Sequence, residues 1–167
     1  MSPAVRAPEH LDGKHDLSTF ECGVPELDAW LKRRALQNEA SGASRTFVVT
    51  ADGHVIGYYT LATGAVSHAT ATGRVRRNMP DPIPVMVLAR LAVDRGHQGR
   101  GLGVALLKDA LLRTLQASQI AGIRAVLLHA ISESSKRFYL AHGFDESPVD
   151  PMTMMITVAD LEMALRR

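Results

Sequence analysis

A buried strand, a glycine-rich turn and a helix follow one another without interruption in the middle of this chain, and few folds accommodate that order. Residues 85–93 read Val-Met-Val-Leu-Ala-Arg-Leu-Ala-Val, a nearly continuous apolar run of the kind carried by a strand covered on both faces. Gly96 to Gly103 come next, with Gln98-Gly99-Arg100-Gly101-Leu102-Gly103 at the junction. From Val104 to Ala117 the residues Leu107, Ala110, Leu111 and Leu115 form an apolar helical stripe. Gly122 to Ala130 then supplies Ile123, Ala125, Val126, Leu127 and Leu128, a second buried strand. The order predicts a βαβ crossover with parallel strands over residues 85–130.

The flanking sequence fits around that unit. Val24 to Ala40 is predicted as one amphipathic helix: Pro25 suits a first-turn position, Leu27, Trp30, Leu31 and Leu36 recur near helical spacing, and Lys32, Arg33 and Arg34 occupy the other side. Thr46 to Thr50 is rich in β-branched and aromatic residues, and Asp52-Gly53 signals a hairpin into a strand from His54 to Leu61. Ser67 to Pro84 has no apolar period and carries Pro80, Pro82 and Pro84 together with Arg74, Arg76 and Arg77, which predicts a long exposed connection. Ser132 can cap a helix running to about His142, with Gly143 at its end and Phe144 beyond; Thr153 to Val158 supplies the last strand. The expected class is α+β, a mixed central sheet with helices on both faces. With 167 residues and no repeat or linker, residues 1–167 are expected to form a single domain.

Composition narrows the function. Hydrophobic residues at 46% and charged residues at 22% match a chain that folds on its own. No apolar run approaches the ~20 residues needed to cross a bilayer, and the polar start holds no signal-peptide core, so a cytoplasmic protein is expected. Cys22 is the only cysteine, which excludes an intrachain disulfide, and the histidines lack ligand spacing, so no metal site is expected. Lys and Arg number 19 against 17 Asp and Glu. A net charge of +2 is too small to argue for nucleic acid unless the charge is clustered.

The chemistry concentrates at the glycine turn. Backbone N–H groups at a helix start lack intrahelical partners and can hold an anion, and glycines let a diphosphate approach them, while Arg95 and Arg100 add charge at the rim. A tight strand-to-helix turn with no ligand is the alternative. A Walker loop is excluded because no Gly-Lys-Ser/Thr ending is present. A dinucleotide site fits poorly, since no Asp or Glu lies in 118–124. Arg90 interrupts an apolar strand and must either pair or reach solvent.

The run Leu88-Ala-Arg-Leu-Ala-Val-Asp94, then Gln98-x-x-Gly101-x-Gly103, then Lys136-Arg-Phe-Tyr139-x-x-His-Gly-Phe144 resembles the GNAT superfamily of acetyl-CoA-dependent N-acetyltransferases over 85–160. Further stretches resemble the GNAT toxins of type II toxin–antitoxin pairs, which acetylate the amino group of aminoacyl-tRNA: Phe20-Glu-Cys-Gly23 with Leu27-Asp-x-Trp-Leu31, residues 35–46, Pro84 to Arg90, and Pro148-x-x-Pro151-x-Thr153-Met-Met155. One departure is His97, which stands where an aromatic residue is usual before the loop.

The resemblance implies acetyl-CoA as co-substrate, with Gln98, Gly99, Arg100, Gly101, Leu102 and Gly103 at its pyrophosphate and Arg95 beside them. It places backbone groups of Leu91, Ala92 and Val93 at the acetyl carbonyl and pantetheine, with Phe138 and Ser134 on the cofactor side of the following helix. Tyr139 is implied as general acid to the leaving thiolate, against the alternative of a core aromatic whose hydroxyl is satisfied locally. Arg74, Arg76, Arg77, Arg90, Lys32 and Arg33 are the expected tRNA-phosphate contacts, or else ordinary solvated charges. The implied partners are charged tRNA, a ribbon-helix-helix antitoxin and a second copy in a homodimer, with no membrane. A small-molecule or protein N-terminal acetyltransferase and a non-catalytic acyl-CoA-binding regulator are the competing functions.

Overall fold

The computed structural model describes residues 5–166. In chain order the elements are β1 (Glu9–His10), α1 (Pro25–Arg33), α2 (Ala35–Ser41), β2 (Arg45–Ala51), β3 (His54–Val66), α3 (Gly73–Arg76), β4 (Ile83–Val93), α4 (Leu102–Ser118), β5 (Ala125–His129), α5 (Glu133–Ala141), β6 (Asp145–Glu146), β7 (Thr153–Thr157) and α6 (Val158–Leu165). The strands form one mixed sheet in the order β1-β2-β3-β4-β5-β7-β6. No helix among the described residues is long and apolar enough to cross a membrane.

Two compact units can be distinguished, the first of residues up to Ala62 with Ala89–Ala110, the second of Thr63–Leu88 with the chain from Leu111 onward. In the first, Asp52 and Gly53 both adopt left-handed φ, 52° and 81°, the combination that a two-residue hairpin turn matched to strand twist requires. The hairpin pairs Arg45–Ala51 with His54–Leu61, and β1 adds to its edge. Beneath it Phe20, Leu31, Ala35, Val48, Tyr58 and Ala92 form a buried cluster. The single helix expected over 24–40 is broken at Arg34, whose φ of −121° is not helical. The break turns Ala35 fully into the core and leaves Leu36 40% exposed, so Leu36 does not belong to the apolar stripe.

In the second unit Val85–Val87 pair in parallel with Ala125–Leu127, and β5 runs antiparallel to β7. The expected parallel crossover is therefore present, with β5 shorter than the 122–130 predicted for it. One further expectation is corrected. Residues 67–84 are not a bare exposed connection: α3 lies within them, and Ala71, Val75 and Ile83 are buried with Val85, Leu127 and Met155. Sparse apolar residues without helical period gave no signal for this, because each plugs the core separately. The last strand, β7 at Thr153–Thr157, lies where it was expected, and α6 follows it. Thr157 caps α6 by accepting a hydrogen bond from the Asp160 N–H at 3.1 Å.

β4 is not covered along its whole length. Val85, Met86, Leu88 and Ala92 are buried, but Ala89 is exposed and Arg90, Leu91 and Val93 are only half-buried. The strand's parallel pairing with β5 runs over Val85–Val87.

Candidate active site

The first unit carries the glycine turn. Gly99 and Gly101 have φ of 78° and 80°, and a β-carbon placed on either would meet no heavy atom within 4 Å. Glycine is required there by backbone conformation, and the space in front of the loop is open. The N–H groups of Gly99, Arg100, Gly101, Leu102, Gly103 and Val104 find no acceptor among the described residues; the first helical bond runs from the Ala105 N–H to the Gly101 carbonyl at 3.1 Å. Successive unpaired amides at the start of a 17-residue helix form an anion-binding nest, which fits the diphosphate of a coenzyme A thioester. Arg100 is exposed at its rim.

Two residues expected at the cofactor, both exposed, also contact the opening segment. The Gln98 side-chain amide donates to the Val93 carbonyl at 2.8 Å and to the Cys22 carbonyl at 2.9 Å, so it holds the loop against the opening segment and occupies the Val93 carbonyl. The Arg95 N–H donates to the Glu21 carbonyl at 2.8 Å, and its guanidinium lies against Gly23, where a β-carbon would stand 3.3 Å from Nε. Asp94 completes this collar by accepting from the Glu21 and Gly96 N–H groups at 3.0 and 3.1 Å. Sequence reasoning passed over Glu21, Gly23 and Asp94 as structural supports. The only signal was Gly23, whose φ of 99° demands glycine.

Arg90 resolves its half-buried position in a way neither expectation foresaw. Its guanidinium lies 3.9 Å from the centre of the Trp30 ring, and Trp30 stacks in turn on Tyr58. Burial holds the Arg90 group below the usual guanidinium value. Its N–H groups meet no carboxylate or carbonyl among the described residues, so they are available to an anion. Lys32 and Arg33 are exposed on the last turn of α1, where cations also offset the helix dipole.

The second unit holds Tyr139, Phe138 and Ser134. The Ser132 hydroxyl accepts from the Ser135 N–H, and the Ser135 hydroxyl accepts from the Ser132 N–H, both at 3.1 Å, a reciprocal cap that starts α5. Ser134 is exposed in the first turn. At the other end the Phe144 N–H donates to the Tyr139 carbonyl at 3.1 Å and the Gly143 N–H to the Leu140 carbonyl at 3.2 Å, with Gly143 at φ 92°. That is a complete Schellman ending, and its apolar contact is the edge-on packing of Phe144 on Tyr139. The Phe-Tyr-x-x-x-Gly-Phe pattern therefore has a local cause: it clamps the tyrosine at the third position from the helix end.

Phe138 and Phe144 flank the Tyr139 ring, and the residue is 8% exposed. Its hydroxyl has no hydrogen-bond partner among the described residues, yet it is not among the fully sealed polar atoms. Burial pushes the phenol up to about 12, so it is protonated at neutral pH. A buried ring with a free, protonated hydroxyl can donate to a ligand.

The loop arginines divide. Arg74 forms a two-pronged ion pair with Asp160, one bond at 2.8 Å, whereas Arg76 and Arg77 are exposed and have no partner among the described residues. All three were expected at tRNA phosphates; the ion pair with Asp160 sets Arg74 apart from the two exposed arginines beside it. No group of three or more metal-ligating side chains occurs among the described residues.

Residues 42–146 match the acetyltransferase (GNAT) domain family. The chain is 50% identical over 154 residues to the tRNA-acetylating toxin of Mycobacterium tuberculosis, covering 92% of this chain and 93% of that protein. It is also similar to the solved structure of AtaT complexed with acetyl-methionyl-tRNAfMet, with a TM-score of 0.89, 25% identity, and coverage of 97% and 99%. A second similar structure is a tyrosine-to-phenylalanine mutant of AtaT bound to acetyl-CoA and the C-terminus of the antitoxin AtaR, with a TM-score of 0.84, 25% identity, and coverage of 98% and 99%.

Proposed function

Since this chain belongs to the GNAT family of acetyl-CoA-dependent acetyltransferases, we propose that it is a toxin that moves the acetyl group of acetyl-CoA to the α-amino group of aminoacyl-tRNA and thereby blocks translation. The observation that carries the reading is the 50% identity with a tRNA-acetylating toxin across 92% of the chain. The free cations at Arg76, Arg77 and Arg90, with Lys32 and Arg33, support an RNA substrate.

Acetyl-CoA supplies an activated thioester, so the amine needs placement and a free lone pair. An α-amino group titrates near ~7.7–8.0, and esterification of its carboxyl lowers this further, so a strong base is dispensable. The C-terminal end of β4, past its pairing with β5, offers backbone groups of Leu91 and Ala92 to the acyl arm, while the nest at Gly99–Gly103 takes the diphosphate. Arg100 is placed at the nest rim, and Phe138 and Ser134 lie on the helix that carries Tyr139. The Tyr139 hydroxyl gives its proton to the departing thiolate; its lack of an internal partner supports that role. The same reading takes residues 1–167 as one GNAT domain of a cytoplasmic homodimer, neutralised by a ribbon-helix-helix antitoxin.

The test is mass spectrometry of total charged tRNA after incubation with the protein and labelled acetyl-CoA. N-acetyl-aminoacyl-tRNA is expected. Label appearing only on small amines or protein N-termini would overturn the reading.

A further inference from the structure

Arg124 stands just before β5. Its side chain does not point to solvent as an ordinary surface arginine would. Nε donates to the Val75 carbonyl at 3.0 Å, and one terminal nitrogen donates to the Arg74 carbonyl at 2.8 Å and the Arg77 carbonyl at 3.4 Å. Those carbonyls belong to α3 and its C-cap, the groups a four-residue helix leaves unsatisfied. The backbone of Arg124 is itself fixed: its N–H donates to the Pro84 carbonyl and its carbonyl accepts from the Val158 N–H, both at 2.9 Å.

Three other anchors hold the same turn. Thr72 caps α3 by accepting from the Val75 N–H, Val75 is 1% exposed, and Arg74 is tied to Asp160. Asp160 is held below the usual carboxylate range, first by its hydrogen bond to Arg74, with Arg124 adding attraction. An isolated four-residue helix has no stability of its own, so its geometry comes from these anchors. Only Arg76 and Arg77 are left outward and unpaired.

We propose that Arg124 is a positioning residue for the RNA substrate, clamping the 74–77 turn so that Arg76 and Arg77 are presented together to adjacent phosphates. This rests on the tRNA reading of those two arginines. A guanidinium bonded to main-chain carbonyls neutralises no phosphate by itself. It restricts where the neighbouring cations sit, which lowers the ordering entropy lost on binding. Its charge also adds to the potential around them.

The experiment compares Arg124→Gln, Arg124→Lys and the double variant Arg76→Ala/Arg77→Ala, using bulk aminoacyl-tRNA and labelled acetyl-CoA for kinetics and bulk tRNA for binding. Arg124→Gln should raise the apparent KM for charged tRNA several-fold with little change in kcat, and flatten the salt dependence of tRNA binding by roughly one unit of log–log slope. Acetyl-CoA affinity by calorimetry should match the parent. Arg124→Lys, which can still donate to a carbonyl, should recover part of the affinity and keeps the test valid if the glutamine variant folds poorly. If the double variant raises KM and Arg124→Gln does not, the positioning role is wrong and the tRNA reading stands. A double variant with parental KM and salt slope removes both. Equal losses of tRNA and acetyl-CoA binding in both Arg124 variants would make the residue merely structural and overturn the proposal.

Discussion

The general-acid role proposed for Tyr139 sets two requirements that pull in opposite directions, since the ring must be buried to be held and the hydroxyl must stay free to give a proton. The Schellman ending of α5 and the flanking Phe138 and Phe144 meet the first, and the missing internal acceptor meets the second. Burial raises the phenol to about 12, so the donor form persists well above the ordinary tyrosine value near ~10. The expected consequence is a kcat profile without an alkaline limb from this residue through about pH 10. An alkaline fall in kcat with an apparent pKa near neutrality, present in the parent and absent from Tyr139→Phe, would contradict that. Tyr139→Phe itself should lower kcat by about 10²-fold and leave acetyl-CoA affinity unchanged, as stopped-time acetylation and calorimetry can read. The tyrosine was legible in the sequence through its motif. The freedom of its hydroxyl was not, because partners for a side chain are set by what the fold brings near it.

Elements show the same division between local and non-local causes. The end of α5 is local: Gly143 at φ 92° and Phe144 two residues past the capping His142 follow from adjacent sequence, and both stand where the motif placed them. Gly143→Ala should destabilise the protein by about 1–2 kcal/mol through left-handed strain, and it brings a β-carbon to 3.4 Å from Ile156, measured as a lower Tm. The short α3 is non-local. Val75→Ala should cost about 2 kcal/mol by thermal denaturation, because Val75 is a buried plug, while Arg76→Ala and Arg77→Ala should stay within about 0.5 kcal/mol of the parent. A sequence in which Val75 sits among arginines gives no sign of that burial. The break between α1 and α2 at Arg34 is of the same kind, since the apolar spacing continues through it and only the direction in which Ala35 must pack decides otherwise.

For the whole molecule, a net charge of +2 means that the proposed grip on tRNA would rest on the placement of cations and not on their number. Binding of bulk tRNA should weaken with salt at roughly 0.7–0.9 units of log–log slope per phosphate contact. Replacing Arg76 or Arg77 by alanine should reduce that slope more than replacing Arg74, whose charge Asp160 already offsets. Equal reductions for all three in a salt titration would show that Asp160 releases Arg74 to the RNA. By itself the sequence determined the parallel crossover, the hairpin at Asp52-Gly53, the glycine nest and the capped helix bearing Tyr139. Each depends on periodicity, backbone conformation or capping within a few residues of one another. Only the tertiary structure decided which cations are free, that Gln98 and Arg95 bond to the opening segment at Cys22 and Glu21, that Arg90 rests on Trp30, and that Arg124 holds α3. Those outcomes depend on pairs separated by tens of residues, and a side chain's charge or hydrogen-bonding capacity does not reveal which distant group will use it.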